Sequence, residues 1–148
     1  MREDRPEILI VEDNDDDYEA TFRALRRGGG VTARLERRRD GSEAWNDLDR
    51  RRAARERLPD LILLDLNTPG MDGRMLLERI RCNRELRAIP IVVLTTSDNE
   101  VDIDTCYRNG ANTYLRKSSS WPDFAAAIET LMAYWFTHAE RPLEGRPQ

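Results

Sequence analysis

The chain has 148 residues, of which 39% are apolar and 35% are charged, and its formal net charge is -4. This length fits one domain with a single core, and the mildly negative charge gives no electrostatic reason to expect a nucleic-acid partner. No apolar run is long enough to span a membrane, and the charged start MREDRPE lacks the apolar centre of a signal peptide, so we expect a cytoplasmic protein with no membrane partner.

Cysteine and histidine are too scarce to suggest a soft-metal site or a histidine-dependent active site. Cys82 and Cys106 form no CxxC pair, and His138 is the only histidine. We expect both cysteines to be reduced thiols, as is usual in the cytosol. A Ser-His-Asp triad would have to use His138, which has no evident partners in the sequence.

Apolar runs alternate with helical patterns along the chain. Strands are predicted over 7–13, 31–39, 60–65, 89–97 and 112–117. Helices are predicted over 14–27, 42–57, 74–81, 99–110 and 121–139. Asn14 suits an N-cap, and the second strand turns basic, which an edge strand tolerates. The arginines from Arg50 to Arg57 are interpreted as a solvated helix face, because acids are interspersed among them.

The order strand-helix, repeated five times, predicts the fold class. The strands are short and mostly apolar on both faces, which is typical of a parallel sheet covered by helices. Right-handed crossovers then give a doubly wound α/β fold. In such folds the functional site lies at the carboxyl ends of the strands.

Polar side chains stand at these strand ends, where packing gives no reason for them. They are Glu12 and Asp13 after the first strand, Asp65 after the third, Thr95 in the fourth and Lys117 after the fifth. Because the carboxyl ends of parallel strands share one edge, we expect the five residues to converge. Carboxylates that lie close together repel and require a cation, and an oxygen-only donor set favours Mg²⁺.

Such a set of residues suits phosphoryl transfer. A hydrated Mg²⁺ can bind a phosphoryl oxygen, while Lys117 and a threonine hydroxyl serve the remaining oxygens. Asp65 is then placed as a nucleophile that forms an aspartyl phosphate. The backbone carbonyl of Asn67 is a further candidate ligand of the metal. Glu12 alone or Thr96 alone would be interpreted as a polar strand end that faces solvent, so the hypothesis rests on the whole set.

Four segments together resemble the response-regulator receiver domain of two-component signalling. They are VED (11–13), LLDLNTPGMDG (63–73), VVLTTS (92–97) and GANTYLRK (110–117). The resemblance runs from about residue 8 to residue 128. The 30 residues from Asp65 to Thr95 and the 22 from Thr95 to Lys117 suit the family. The resemblance implies a flavodoxin-like α/β fold, with five parallel strands in the order 2-1-3-4-5 and helices on both faces.

The resemblance also implies how the acidic residues act. Asp65 accepts a phosphoryl group from the phosphohistidine of a sensor histidine kinase in a phosphorelay. Asp13, Asp65 and the Asn67 carbonyl bind Mg²⁺, and Glu12 acts through water. The chain is then a signalling domain rather than an enzyme, with only weak self-phosphorylation and autodephosphorylation.

The remaining implied roles concern a conformational switch. Lys117 contacts the phosphoryl group, Thr95 moves toward it, and Tyr114 changes rotamer with Thr95. These movements alter the surface formed by the fourth helix, the fifth strand and the fifth helix.

Two features of the sequence resemble those of the small single-domain regulators that partner bacterial phytochromes. Ser118 follows Lys117, where many receivers have a proline in a cis bond, so we expect a trans bond here. The aromatic segment YWF (134–136) is the other feature. The similarity implies a phytochrome-type kinase and a homodimer through the fourth-helix, fifth-strand, fifth-helix surface, with interface candidates Tyr134, Trp135 and Phe136. Arg37 and Arg38 depart from many relatives, which are apolar there.

The last helix carries an apolar stripe and additional apolar residues outside it. The stripe, predicted to face the core, comprises Phe124, Ile128, Leu131 and Trp135. Met132, Tyr134 and Phe136 fall outside this stripe and either cap the core or form an exposed patch. We assign 1–140 to the receiver domain and 141–148 to a flexible tail, with no DNA-binding output module.

Two alternatives have different consequences for Asp65. A phosphatase of the haloacid-dehalogenase type also uses a strand-end aspartate, but its second acid would stand two residues later, where Asn67 cannot act as a general acid. A receiver-shaped scaffold that is never phosphorylated would usually lack the acceptor, an acid or the lysine, and this chain has all of them.

Overall fold

The computed structural model describes residues 5–27, 32–117 and 120–142. Its five parallel strands are β1 (Glu7–Val11), β2 (Arg34–Arg38), β3 (Leu61–Leu64), β4 (Ile91–Thr95) and β5 (Thr113–Arg116). The helices are α1 (Asp15–Arg27), α2 (Gly41–Ala54), α3 (Gly73–Cys82), α4 (Glu100–Arg108) and α5 (Trp121–Ala133), and a π-helical turn, Tyr134–His138, follows α5. The sheet order β2-β1-β3-β4-β5 confirms the predicted fold class.

The sheet is apolar on both sides because helices cover both of its faces. All residues of β1, β3 and β4 are buried. One face packs against α2, α3 and α4 and the other against α1 and α5, so each face has its own apolar cluster. The continuous apolar runs in these three strands are therefore the sequence signature of a sheet buried on both sides.

The edge strand β2 differs from the three central strands. Its residues are exposed or half-buried, and arginine occupies three of its five positions. The predicted strand began earlier, at Val31, which lies outside the described residues. Charge on an edge strand opposes pairing with other chains, which explains why this strand can be basic.

The prediction of a fully solvated arginine face on α2 was wrong for Arg51. Its side chain is buried, with Nη1 2.6 Å from Oε2 of Glu7 and Nη2 3.1 Å from Oδ2 of Asp47. The last turn of α2 lies over the amino end of β1, where the Glu7 carboxylate is also buried. We call Glu7, Asp47 and Arg51 the amino-end cluster. A buried ion pair has the same sequence pattern as a solvated one, so only the fold reveals it.

Met132, which falls outside the predicted stripe, is fully buried, so the first of the two alternatives, packing against the core, holds for Met132. Phe124 and Ile128 are buried as predicted, and Trp135 and Phe136 pack partly against the same cluster. Because α5 contacts both the sheet and α1, its apolar face is wider than a single stripe. The π-helical turn changes the angular spacing at 134–138, which lets two successive aromatic residues face the core. Tyr134 remains 55% exposed.

Other predictions concern single residues. Both cysteines are free thiols, Cys82 exposed and Cys106 buried. The bond between Lys117 and Ser118 and the segment 143–148 lie outside the described residues. Within the part of the chain that the structure describes, no helix is long and apolar enough to cross a membrane.

Candidate functional site

Backbone hydrogen bonds hold the predicted site residues at one edge of the sheet. The Asp65 N–H donates to the Val11 carbonyl at 3.0 Å, which continues the pairing of β3 with β1. The Lys117 N–H donates to the Thr95 carbonyl at 2.7 Å, which extends the pairing of β5 with β4. The sheet therefore brings together residues that are far apart in the sequence, as the strand-end pattern predicted.

Three carboxylates share this edge. One oxygen from each of Glu12, Asp13 and Asp65 lies within 4.8 Å of the others, so the three could hold one cation. Glu12 and Asp65 are buried, and Asp13 is half-buried. Burial raises the pKa of Glu12 to about 7; the Lys117 ammonium opposes this rise and the nearby Asp65 adds to it.

Lys117 neutralises part of this negative charge. Its Nζ lies 2.6 Å from Oε1 of Glu12, 2.9 Å from Oδ2 of Asp17 and 3.7 Å from Oδ2 of Asp65. Burial lowers the pKa of Lys117, but its hydrogen bonds to Glu12 and Asp17 outweigh that effect and leave the pKa raised. We call Glu12, Asp13, Asp65 and Lys117 the carboxyl-end cluster.

The sequence analysis did not identify Asp17 as a site residue. It lies in the first turn of α1, in a run of acids that begins directly after β1. The side chain of Asn14 accepts a hydrogen bond from the Asp17 N–H at 2.9 Å, which confirms the predicted N-cap. Its position in the sequence could have identified it, because the first turn of a helix that follows a strand lies beside the carboxyl end of that strand.

The loop after Asp65 packs closely against Asp65. The Asn67 N–H lies 3.3 Å from Oδ1 of Asp65, and the Thr68 hydroxyl donates to the Met71 carbonyl at 3.3 Å. A Cβ on Gly73 would overlap the Asp65 carbonyl oxygen, so glycine is required for α3 to begin this close to β3. The loop therefore contacts the Asp65 carboxylate through the Asn67 N–H and packs against the Asp65 backbone at Gly73.

Thr95 and Tyr114 meet at the loop after β4. Thr95 is fully buried, and its Oγ1 accepts from the Ser97 N–H at 3.3 Å. The Tyr114 hydroxyl donates to the Ser97 carbonyl at 2.9 Å, and burial raises the pKa of Tyr114. The Ser97 hydroxyl donates to Asp102 at 2.8 Å, and Arg74 pairs with the same carboxylate at 2.9 Å. The link from Ser97 to α3 was not predicted, since no local motif joins residues 74 and 102.

The donors at this edge fit a hard divalent cation. All three candidate side chains supply carboxylate oxygens, the donor type that Mg²⁺ prefers. Their charges exceed what one lysine can neutralise, so a bound cation would remove repulsion.

Comparison with known proteins agrees with this geometry. Residues 8–129 match the family described as the response regulator receiver domain. The chain belongs to this family. It is therefore a response-regulator receiver domain, a signalling domain of two-component systems, as the four sequence segments indicated.

Individual relatives cover nearly the whole chain. The probable methanogenesis regulatory protein FilR2 of Methanothrix harundinacea is 41% identical over 128 residues, covering 86% of this chain and 82% of FilR2. Response regulator Rcp1 of Synechocystis is 36% identical over 136 residues, covering 91% of this chain and 92% of Rcp1. The phosphorylated cyanobacterial phytochrome response regulator RcpA is 37% identical, with a TM-score of 0.85, covering 93% of this chain and 99% of RcpA.

These relatives confirm the expected similarity to phytochrome regulators. Rcp1 has also been solved in a Mn²⁺-bound form, which superposes on this chain with a TM-score of 0.82 and is 34% identical, covering 93% of this chain and 99% of that structure. That a relative binds a divalent cation agrees with the acidic cluster found here.

Proposed function

We propose that Asp65 is the phosphoacceptor of a two-component phosphorelay. The observation that carries the proposal is the juxtaposition of three carboxylates within 4.8 Å and the Lys117 ammonium 3.7 Å from the Asp65 carboxylate. A saturated salt-bridge cluster would have no spare negative charge, whereas this one has a cation-binding excess beside a nucleophile.

The transfer step follows from these groups. An Asp65 carboxylate oxygen attacks the phosphorus of a phosphohistidine on the kinase, a P–O bond forms, and the P–N bond breaks as its electron pair leaves with the imidazole. A Mg²⁺ held by Asp13, Asp65 and the Asn67 carbonyl, with Glu12 acting through water, would neutralise charge on the phosphoryl oxygens. Lys117 is close enough to Asp65 to pair with a phosphoryl oxygen after transfer.

The switch runs through the loop after β4. The Thr95 hydroxyl, which now accepts from the Ser97 N–H, turns toward the phosphoryl group. The Ser97 carbonyl also accepts a hydrogen bond from the Tyr114 hydroxyl. Displacement of Ser97 therefore changes the position of Tyr114. The affected surface is formed by α4, β5 and α5.

The proposed partners are a sensor histidine kinase of the phytochrome type and a second copy of the chain. The support for the kinase type is the similarity to Rcp1 and RcpA, the latter a phytochrome response regulator. The proposed homodimer uses the α4-β5-α5 surface, with Tyr134, Trp135 and Phe136 as contacts. A monomer by light scattering, with and without an acyl-phosphate mimic, would contradict the dimer. We assign 1–140 to the receiver domain and 141–148 to the tail.

Phosphorylation is tested by measuring intact mass after incubation with acetyl phosphate and Mg²⁺. We expect the mass to rise by one phosphoryl group in the wild type and not in Asp65→Asn. Asp98→Asn is the matched control, because Asp98 is a well-exposed carboxylate outside the cluster, paired only loosely with Arg116. A gain that survives Asp65→Asn would refute the proposal, and no gain in any form would favour the scaffold alternative. Hydrolysis of small phosphate esters that Asp65→Ala abolishes would favour the phosphatase.

A further inference from the structure

Arg37 joins β2 to the loop that carries Asp13. Its Nε donates to the Glu12 carbonyl at 3.0 Å, and its Nη2 lies 2.8 Å from Oδ1 of Asp15. Its guanidinium carbon lies 4.3 Å from the centre of the Tyr18 ring. The Arg37 side chain is only 18% exposed, whereas the Asp15 side chain that it contacts is 72% exposed.

These contacts fall on both sides of Asp13. Glu12 directly precedes Asp13, and Asp15 and Tyr18 lie in the first turns of α1. The backbone pairing of β1 with β2 ends at the Glu12 N–H, which donates to the Arg38 carbonyl at 3.0 Å. Asp13 lies beyond that last sheet bond, so the sheet by itself does not hold its carboxylate in place.

We propose that Arg37 is a positioning residue that holds Asp13 in the orientation needed to bind the divalent cation. The proposal rests on the cation site of the proposed function. Arg37 does not touch the carboxyl-end carboxylates themselves in any described contact; it acts through the Glu12 backbone and through Asp15. Groups that bond directly to metal ligands typically contribute about 10-fold to 100-fold in metal affinity, and Arg37 acts one step further from the metal, so we expect the lower end of this range.

The charge of Arg37 acts in the opposite direction. A cationic side chain near a metal site repels the metal, so removing Arg37 would by charge alone tighten cation binding. Asp15 offsets only part of this charge, since its one carboxylate pairs with Arg37 and also with Arg39 at 3.1 Å. Removal of Arg37 should weaken Mg²⁺ binding if orientation dominates and tighten it if charge dominates. The direction of the change in Mg²⁺ affinity therefore decides between the two effects.

The matched control is Arg39. It pairs with the same Asp15 oxygen, but it has no described contact with the Glu12 carbonyl or the Tyr18 ring, and its side chain is 57% exposed. Arg39→Gln removes one positive charge from the same neighbourhood without removing the link across Asp13. Arg37→Lys keeps the charge and loses the geometry of the guanidinium, and it also serves if Arg37→Gln fails to fold.

The experiment is a calorimetric titration of the full chain with Mg²⁺ at constant ionic strength. We expect Arg37→Gln and Arg37→Lys to weaken Mg²⁺ binding by about tenfold, and Arg39→Gln to stay within about twofold of the wild type. Urea unfolding without metal verifies that the titrated variants are folded. A role in stability alone would lower the unfolding free energy and leave the dissociation constant of the folded protein unchanged.

Three outcomes would overturn the proposal. Arg37→Gln binding Mg²⁺ as well as the wild type, or more tightly, would show that orientation does not matter. Arg37→Lys matching the wild type would show that the guanidinium contacts on the two sides of Asp13 are not needed. A wild type that binds no Mg²⁺ would remove the site itself. Phosphorylation is scored separately by mass, so a wild type that binds Mg²⁺ and is not phosphorylated contradicts the proposed function and leaves the role of Arg37 intact.

Discussion

The two ends of the sheet carry buried charges that are arranged differently. In the amino-end cluster the Arg51 guanidinium bridges Glu7 and Asp47, and Asp47 also pairs with Arg38 and Arg50. In the carboxyl-end cluster three carboxylates lie together, and the described ion pairs of Glu12 and Asp65 both run to Lys117. The carboxylates of the first cluster are neutralised by Arg51 together with the flanking Arg38 and Arg50. The second cluster has an excess of negative charge.

This difference separates a structural cluster from a binding site. A buried carboxylate with enough cationic partners is stabilised within the fold and has no further need of a ligand. A group of carboxylates with too few partners is destabilised until a cation or a proton arrives. Burial of charge alone would identify both clusters as candidate sites, whereas the balance of charges identifies only the carboxyl-end cluster.

The largest expected effect is on stability, from breaking the amino-end cluster. Arg51→Met leaves Glu7 and Asp47 buried without their shared partner, so we expect the unfolding free energy to fall by about 3–5 kcal/mol. Urea unfolding measures this directly. The control is Arg50→Met, because Arg50 pairs with the same Asp47 but is 59% exposed; its cost should stay below about 1 kcal/mol. Equal losses of unfolding free energy in Arg51→Met and Arg50→Met would contradict the distinction between a buried and an exposed arginine partner.

Addition of Mg²⁺ should stabilise the wild type through the other cluster. At about 100 times its dissociation constant, a ligand that binds only the folded state raises the unfolding free energy by about 2.7 kcal/mol. Asp13→Asn removes one of the three carboxylates and should abolish most of this gain. Asp98→Asn should retain it. Stabilisation by Mg²⁺ that is unchanged in Asp13→Asn would place the cation elsewhere.

Without metal, replacing an acid by its amide should change the unfolding free energy in opposite directions at the amino and carboxyl ends of the sheet. Asp13→Asn relieves repulsion among the carboxylates, and we expect it to raise the unfolding free energy by about 1 kcal/mol, the scale of a partly exposed charge interaction. Glu7→Gln removes the partner of Arg51 and should lower the unfolding free energy. Urea unfolding in the presence of a chelator compares the two variants. Changes of the same sign in their unfolding free energies would refute the proposed difference between the clusters.

The smallest effect is a pH dependence at the amino end. Burial raises the pKa of Asp47, but its bonds with Arg51, Arg38 and Arg50 outweigh burial and leave the pKa below its usual value. A lowered pKa in the folded state contributes stability above the unfolded-state pKa, and this is lost as the pH falls through the folded-state pKa. The stability difference between the wild type and Asp47→Asn should therefore shrink below about pH 4.

The control for this pH dependence is Asp104→Asn. Asp104 pairs with Arg108 on the exposed side of α4, and both side chains are mostly in solvent. Its difference from the wild type should stay small and nearly constant over the same pH range. A difference for Asp47→Asn that grows as the pH falls would contradict the assigned direction of the shift.

The fold was predictable because its signals are local. The apolar run of β3 ends at Asp65, and the alternation of such runs with helical patterns defines a doubly wound sheet before any distance is known. Convergence of Asp65 with Lys117 followed from topology alone. The sequence could therefore predict which residues meet at the carboxyl edge.

What the sequence could not predict depends on packing between elements. Arg51 has the pattern of a surface residue, and only the position of α2 over β1 buries it. Met132 lies outside a regular helical stripe, but α5 is covered on two sides. Arg37 in β2 contacts Glu12, which follows β1, and Tyr18 in α1. No spacing rule within one segment encodes contacts between separate elements.

The most direct test of the account is to locate the phosphoryl group. The full chain is treated with acetyl phosphate, with Mg²⁺ or with a chelator, and the aspartyl phosphate is then reduced with borohydride and mapped by peptide mass spectrometry. We predict modification of the peptide that contains Asp65, at Asp65 alone, and only when Mg²⁺ is present. Modification at another residue, or modification of Asp65 that is equally extensive in the chelator, would contradict the account.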